Sequence, residues 1–251
     1  MTSKELSRSA VLSSFSQKVA RIAHLLKARF RFKEQPKIEW LSNFIDQGST
    51  ILDIGANFGV FAKSFACIHK GSCQIQAFEP VSYNFGILQQ VAAPFHNISI
   101  HNFALSENAG TADIFIPVKE KGRIGPALAH LGQETNRSYF KETIKTVKLD
   151  DFIAQQKIDK ISFIKCDVEG AELLVFRGAV ETLKRFKPTI FTEIDGSYTR
   201  RMNYEPAELV DFLIGIGYQA HYVIKANGSF SLEPVSGYTR AGDYLFKKTI
   251  D

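Results

Sequence analysis

Residues 51–59 read Ile51-Leu52-Asp53-Ile54-Gly55-Ala56-Asn57-Phe58-Gly59, a short apolar run followed by two glycines four positions apart. Such a run is typical of a buried parallel strand, and the glycines form the turn that opens a helix. Gly55 permits a sharp turn, and the absence of a side chain there lets a ligand approach the backbone. About twenty residues later a second apolar run ends in Glu79, where a Rossmann-like βαβ unit places the carboxylate that binds the ribose hydroxyls. The two stretches together predict a nucleoside cofactor.

The spacing of the glycines distinguishes between nucleoside cofactors. A dinucleotide site carries G-x-G-x-x-G, whose middle glycine leaves room for the pyrophosphate, and here Asn57 occupies that position. Asp53, just before the turn, suits a cationic group better than a phosphate. S-adenosylmethionine carries an ammonium, a carboxylate and a sulfonium, so the pattern predicts this cofactor. The alternative is a tight strand-helix turn in which Asp53 is only a cap.

The composition is that of an ordinary globular protein. The chain has 251 residues, 45% of them hydrophobic, enough for one large α/β domain with a well-buried core. It has no apolar run of about eighteen residues and no signal-peptide pattern, so we expect a cytoplasmic protein. Its three cysteines (Cys67, Cys73 and Cys166) lack metal-ligand spacing and are expected to be reduced thiols. The net charge of +5 is too small to indicate nucleic-acid binding.

Residues 1–45 form a predicted helical segment ahead of a catalytic domain at 46–251. Basic residues up to Lys33 alternate with apolar residues spaced three and four apart, which indicates one apolar face of a helix. Pro36 interrupts this pattern, and a second helix is predicted at 38–45. The first helix is interpreted as a lid or packing helix, as a basic amphipathic helix at an anionic membrane, or as a dimerisation helix of a homo-oligomer.

From Thr50 onward, strand and helix patterns alternate. Strands are predicted at 51–54, 75–78, 98–103, 161–166, 189–193, 219–224 and 244–247, and helices at 58–69, 82–93, 171–186 and 205–216. This alternation predicts an α/β fold, a Rossmann-like sheet of seven mostly parallel strands with helices on both faces. Asn227-Gly228 is typical of a hairpin turn, so the last two strands are expected to run antiparallel. This is the layout of class I methyltransferases.

One region interrupts the alternation. Residues 117–143 are rich in glycine and polar side chains and are too long for a simple connection. Long loops in compact domains are usually functional lids or disordered insertions. We interpret this stretch as an acceptor-binding loop, the alternative being an insertion without direct contact. It contains His130, a reserve candidate for the catalytic base.

Carboxylates follow two neighbouring predicted strands. The fourth strand ends in Asp167, followed by Glu169, and the fifth ends in Glu193 and Asp195. Because the carboxyl ends of parallel strands meet at the ligand-binding edge of an open α/β sheet, we expect these side chains to cluster there. Asp167, Glu169 and Glu193 are candidate general bases. Asp167, Glu193 and Asp195 could instead hold Mg²⁺ or Mn²⁺, or the acidic groups could merely stabilise a helix N-terminus.

Five motifs, in this order along the chain, resemble those of the FkbM-type methyltransferases. They are Asp53-Ile54-Gly55-Ala56-Asn57-Phe58-Gly59, Phe78-Glu79-Pro80, Asn102-Phe103-Ala104-Leu105-Ser106, Val147-Lys148-Leu149-Asp150-Asp151-Phe152 and Lys165-Cys166-Asp167-Val168-Glu169-Gly170-Ala171-Glu172. The resemblance implies that the first motif surrounds the methionine part of the cofactor, that Glu79 binds the ribose, and that Ala104 and Leu105 lie near the adenine. The cofactor-binding residues predicted from the turn and the resemblance are Asp53, Gly55, Asn57, Gly59, Glu79, Ala104 and Leu105.

Proteins of that family mostly methylate hydroxyl groups, often on sugars of glycolipids, polysaccharides or natural products. The resemblance therefore implies an S-adenosylmethionine-dependent O-methyltransferase that acts on a sugar-like acceptor. Two alternatives stay open: a non-catalytic protein of methyltransferase fold that binds a partner, and an NAD-dependent oxidoreductase, which shares the βαβ unit but lacks the second glycine here.

Overall fold

The structure is a computed structural model that describes residues 5–7, 15–30, 35–119, 123–124 and 138–248. In chain order the strands are β1 (Thr50–Ile54), β2 (Gln74–Phe78), β3 (Ile98–His101), β4 (Ala104–Leu105), β5 (Gly110–Lys119), β6 (Arg123–Ile124), β7 (Tyr139–Val147), β8 (Ile161–Cys166), β9 (Thr189–Ile194), β10 (Tyr218–Ala226), β11 (Ser229–Val235) and β12 (Gly242–Lys248). The helices are α1 (Phe15–Phe30), α2 (Gln35–Ser42), α3 (Val60–His69), α4 (Ser82–Ala92), α5 (Leu149–Gln156), α6 (Glu172–Arg177), α7 (Val180–Phe186), α8 (Gly196–Thr199) and α9 (Pro206–Gly215), with a 3₁₀ turn at Arg200–Met202.

The central sheet has eight strands, in the order β11-β10-β12-β9-β8-β1-β2-β3. Strands β1, β2, β3, β8 and β9 are parallel, whereas β10, β11 and β12 are antiparallel to their neighbours. The α/β class and the mostly parallel sheet are confirmed. The predicted number of strands, seven, is wrong.

The extra strand comes from the Asn227-Gly228 turn. This turn joins β10 to β11, pairing Ala226 with Ser229, rather than joining β10 to the last strand. The last strand, β12, instead inserts between β9 and β10. A hairpin turn identifies the two strands that flank it but not the place of a later strand, which depends on long-range pairing.

A smaller sheet, in the order β4-β7-β5-β6, lies within the stretch that separates β3 from β8. The sequence predicts one strand at 98–103, but β3 ends at His101 and the following residues pair with β7. Strands β5 and β7 form a long antiparallel pair. Both ends of the predicted loop at 117–143 therefore belong to these strands and not to a loop. His130, in that loop, lies outside the described residues.

Two apolar clusters cover the faces of the central sheet. On one face, Ile51 of β1 and Phe163 of β8 pack with α2, α3 and α4. On the other face, Leu52, Ile54 and Ile164 pack with α5, α6, α7 and α9. The predicted helix at 171–186 is two helices, α6 and α7, separated by Gly178, where a Cβ would overlap the backbone of the turn before β5.

Helix α1 packs against α4 along one side. Gln17 and Ala28 are buried there, and the His24 ring stacks on Phe58 with 5.1 Å between ring centroids. Lys63 of α3 donates hydrogen bonds to the carbonyls of Ala28 and Arg29, both at 2.8 Å. A cation at a helix C-terminus binds carbonyls that lack partners within the helix. None of the helices in the described ranges is long and apolar enough to cross a membrane.

Candidate functional site

The glycine turn connects β1 to α3 in a left-handed backbone conformation. Gly55 has φ +75°, Asn57 +50° and Gly59 +80°. A Cβ at Gly55 would overlap the backbone carbonyl oxygen of Asp167, at the end of β8. The sequence predicts that the bare glycine admits a ligand. In the structure the closest neighbour of this position is the protein's own backbone, and glycine is required so that the ends of β1 and β8 can approach each other.

Glu79, at the end of β2, joins this turn to α4. Its Oε2 accepts a hydrogen bond from the backbone N–H of Asn57 at 2.9 Å, and its Oε1 accepts from the N–H of Val81 at 2.9 Å and from Asn84 Nδ2 at 3.2 Å. The side chain is only 4% exposed, and this burial raises the pKa of Glu79 to about 7 despite its three donors. A carboxylate has about four lone-pair positions, so it can still accept from a ligand.

Asp53 and Lys165 form a buried ion pair beneath the turn. Asp53 is fully buried; its Oδ2 accepts from the N–H of Ala62 at 3.0 Å, and its Oδ1 lies 3.4 Å from Lys165 Nζ. The cation beside Asp53 in this structure is therefore a lysine of the chain itself. Burial raises the pKa of Asp53, against the opposing effect of the Lys165 charge.

Lys165 connects the two strand ends. Besides the ion pair, its Nζ donates to the carbonyl of Gly55 at 2.7 Å and to that of Ile54 at 3.3 Å. It also lies 3.7 Å from Asp167 Oδ2. Burial acts to lower the pKa of Lys165, but the charges of Asp167 and Asp53 raise it, so the side chain stays cationic. This role of Lys165 was not predicted from the sequence, although one signal was present: lysine is almost never fully buried unless it is paired, and Lys165 follows an apolar run.

An apolar cleft of about 400 Å³, its open mouth included, lies at the carboxyl ends of the parallel strands. Gly55, Ala104 and Leu105, all predicted to bind the cofactor, line it. Val168, beside the predicted base Asp167, lines it as well. The remaining lining residues are apolar: Ile54, Phe78, Pro80, Phe103, Ile114, Ile144 and Ala171. Ile114 and Ile144 come from β5 and β7, so the smaller sheet forms one wall.

Three predicted catalytic carboxylates lie at the carboxyl ends of β8 and β9, and Val168, between Asp167 and Glu169, lines the cleft. Strands β8 and β9 are parallel neighbours, which brings Asp167 and Glu193 to the same edge. Glu169 has φ +56°, a conformation uncommon for residues other than glycine. Burial, followed by the charges of Asp167, Glu172 and Glu193, raises the pKa of Glu169 to about 8. Partial desolvation and the Asp167 charge also raise the pKa of Glu193, although its side chain is exposed.

Asp195, predicted as a metal ligand, caps α8: its Oδ1 accepts from the N–H of Ser197 at 2.7 Å. This hydrogen bond lowers the pKa of Asp195. Glu172 also makes local hydrogen bonds: its side chain accepts from the backbone N–H groups of Val168 at 2.9 Å and Gly170 at 3.3 Å. Within the part of the chain that the structure describes, no three His, Cys, Asp or Glu side chains are grouped closely enough to share a metal ion.

The fold and the cleft together define a class of protein. An open α/β sheet whose cleft lies at the carboxyl ends of its parallel strands, with an acidic residue ending the second strand, is typical of proteins that bind nucleoside cofactors. The chain belongs to the FkbM methyltransferase family: residues 53–221 match the Methyltransferase FkbM domain. The resemblance inferred from the motifs is confirmed.

Two relatives and one solved structure show the range of similarity. The chain is 30% identical over 153 residues to 2-O-methyltransferase NoeI of Sinorhizobium fredii, and the alignment covers 57% of this chain and 62% of that relative. It is 29% identical over 153 residues to hexuronic acid methyltransferase AglP of Haloferax volcanii, covering 60% and 58%. The crystal structure of methyltransferase FkbM from Methylobacillus flagellatus aligns with a TM-score of 0.49 at 18% identity, over 91% of this chain and 58% of that one. The chain thus spans about three fifths of the length of these two relatives.

Proposed function

We propose that this protein transfers a methyl group from S-adenosylmethionine to a hydroxyl group of a sugar or glycoconjugate. Membership of the FkbM family supports methyl transfer. The two relatives are named for methylation at a 2-O position and of a hexuronic acid, which supports a carbohydrate acceptor. The observation that carries the proposal is the apolar cleft, with the glycine turn on one side and three carboxylates at its edge.

The residues of the cleft fit the cofactor. Glu79 retains acceptor capacity for a ribose hydroxyl, and Asn57 Oδ1 is buried without a hydrogen-bond partner among the described residues. Ala104 and Leu105 offer an apolar surface to the base. We propose that Glu79 holds the ribose, that the turn at 55–59 holds the amino-acid part, and that Asp53 acts indirectly, by fixing this turn through Lys165 and Ala62.

When bound, S-adenosylmethionine supplies a methyl group on a positively charged sulfur. The protein's task is then to align the acceptor oxygen, exclude water and take the hydroxyl proton. The apolar lining excludes water, and alignment alone can contribute on the order of 7–11 kcal/mol in well-organised sites. Catalysis by a general base adds about 10²–10⁴-fold.

Glu169 is the best candidate for this base. A base works best when its pKa is near the operating pH, and the pKa of Glu169 is raised to about 8. Gly170, the next residue, lies against the backbone of Tyr198 in α8, and the charge of Glu169 raises the pKa of Tyr198, which supports a position of the Glu169 carboxylate near α8. We propose that Asp167 and Glu193 assist by orienting the acceptor and by keeping the pKa of Glu169 high.

The proposal is tested by methyl transfer from radiolabelled S-adenosylmethionine to a panel of hexose- and hexuronate-containing oligosaccharides. Glu169→Gln should lower turnover by about 10²-fold or more, the usual effect of losing a general base. Asp167→Asn should lower turnover less, because Asp167 only orients the acceptor and supports the pKa of Glu169. Glu181→Gln, on α7 and 79% exposed, is the matched control and should retain turnover. Loss of activity with a chelator and its return with Mg²⁺ or Mn²⁺ would favour a metal held by Asp167, Glu193 and Asp195.

Binding measurements distinguish the alternative functions. Calorimetry should show binding of S-adenosylmethionine and none of NADH. Binding of NADH would favour an oxidoreductase. Binding of S-adenosylmethionine without transfer to any acceptor, including extracts of cell-surface polysaccharide, would favour a non-catalytic protein of the same fold.

A further inference from the structure

Helix α1 has a second apolar stripe, on the side facing away from α4. Val19, Ile22, Leu26 and Phe30 are 51%, 61%, 50% and 67% exposed. Their spacing of three and four residues places them on one face of the helix. In the described part of the chain, these four are the exposed large hydrophobic side chains, so all such side chains among the described residues lie on one helix.

The charges around this stripe all have the same sign. Helix α1 contains Lys18, Arg21, Lys27 and Arg29 and no acidic residue. All four are exposed, although Arg21 donates to the carbonyl of Gly86 at 3.5 Å and Arg29 to that of Gln90 at 3.3 Å, both in α4. Helical spacing puts Lys18 and Arg29 along one border of the stripe and Lys27 along the other.

The two helices that α1 contacts add no negative charge, whereas α2, on the same face of the sheet, carries an exposed Glu39. Helices α3 and α4, which lie on the same face of the central sheet, contain no Asp or Glu. A stripe of apolar side chains bordered by lysine and arginine is the pattern of a helix that lies in the surface of a bilayer, with its apolar residues among the acyl chains and its cations at the headgroups. A nucleic acid, or an acidic protein surface without an apolar groove, would leave these four apolar side chains in water.

We propose that the outer face of α1 binds a bilayer surface rich in anionic lipids. The stacking of His24 on Phe58 places the inner side of α1 beside the glycine turn, so a bilayer bound to the outer face would lie one helix diameter, about 10 Å, from that turn. The inference does not depend on the proposed methyl transfer, because lipid binding is measured without cofactor or acceptor.

The test is co-sedimentation of the full chain with vesicles. The protein should sediment with vesicles that contain phosphatidylglycerol and remain in the supernatant with pure phosphatidylcholine. Raising the salt from about 0.15 M to about 1 M should weaken binding, because the screening length falls from about 8 Å to about 3 Å. Each basic residue near an anionic surface is worth about fivefold in affinity. Lys18→Gln/Lys27→Gln should therefore bind roughly 20- to 30-fold more weakly.

Two further variants distinguish lipid binding from misfolding, from nonspecific charge attraction and from self-association. Ile22→Gln/Leu26→Gln changes exposed side chains only, so it should retain the helical signal and the melting temperature while lowering vesicle binding at least about tenfold. Lys184→Gln/Arg185→Gln removes two exposed cations from α7, on the opposite face of the sheet, and should bind as the parent does. The proposal is overturned if the parent does not sediment with anionic vesicles, or if the α1 variants sediment equally well. It is also overturned if the apolar variant changes only a monomer-dimer equilibrium in sedimentation velocity, since the stripe would then be a subunit contact.

Discussion

Replacing Lys165 with methionine tests whether the buried ion pair holds the floor of the cleft. Methionine has a similar length and no charge, so the main change is the loss of the cation. Asp53, fully buried, would keep its hydrogen bond from Ala62 but lose the Lys165 charge 3.4 Å away. The carbonyls of Gly55 and Ile54 would lose a donor as well. Removing one partner of a buried pair typically costs about 3–5 kcal/mol.

Asp167 contributes little to this cost. It lies 3.7 Å from Lys165, but its side chain is 43% exposed, so water can solvate it in the variant. The loss of about 3–5 kcal/mol in the free energy of unfolding therefore depends on Asp53 and is measured by urea denaturation. A second expectation follows from the contact with Gly55: the turn should loosen, and affinity for S-adenosylmethionine, measured by calorimetry, should fall.

Two comparisons isolate the effect of the buried pair. Lys160→Met removes an ion pair with Asp46 in which the side chains are 50% and 70% exposed, and it should cost less than about 1 kcal/mol. Asp53→Asn combined with Lys165→Met should cost less than the sum of the two single changes, by about 0.5–3 kcal/mol. If Lys165→Met costs no more than Lys160→Met, or if the double variant is simply additive, the buried pair is not what holds the turn.

Three other predictions follow from the site. Gly55→Ala should lower the free energy of unfolding by at least about 1–2 kcal/mol, because φ at position 55 is +75° and the added Cβ would overlap the Asp167 carbonyl. The control is Gly215→Ala, which has open space around it and should be neutral or slightly stabilising. Both are measured by urea denaturation. The pKa of Glu79 is raised from 4.5 to about 7, so between these pH values the folded state binds more protons at Glu79 than the unfolded state does. Protonated Glu79 therefore contributes to stability fully below about pH 4.5, and the contribution is lost as the pH rises through about 7. Glu79→Gln should accordingly flatten the decline in stability between about pH 4.5 and pH 7, and an unchanged slope would contradict the assignment. Methyl transfer by the parent protein should rise with pH through about 8, where Glu169 ionises, whereas Glu169→Gln should show no such rise in a pH-rate profile.

Much of the fold could be predicted from local pattern. The strands β1, β2 and β8 were predicted to within about one residue at each end, because apolar runs bounded by glycine or acidic residues are local signals. Strands β5 and β7 were missed, although Ile114, Ile116 and Val118 alternate as half-buried strands do. Pro117 and the glycines nearby favoured a loop, yet Pro117 is accommodated in β5 opposite Tyr139.

Some residues of the site could be predicted from the sequence, whereas the contacts between distant segments could not. Glu79 could be placed because its distance from the glycine turn is a property of the βαβ unit. The partner of Asp53 could not be placed, since Lys165 reaches it only through the register that sets Asp53 opposite Lys165 in β1 and β8. Likewise, the reason for glycine at position 55 is the backbone of Asp167, which no local pattern reveals.

By itself, the sequence determined the parallel α/β unit, the glycine turn and the acidic residue that follows it, because each depends on residues within about twenty positions of one another. The tertiary structure decided the place of β12 between β9 and β10, the second apolar face of α1, and the lysine that holds the turn. These features depend on pairing between distant segments, such as Lys165 and Gly55, which are 110 positions apart. The free energy that selects such pairings comes from burial and charge in the assembled core, and it is absent from any short stretch of the chain.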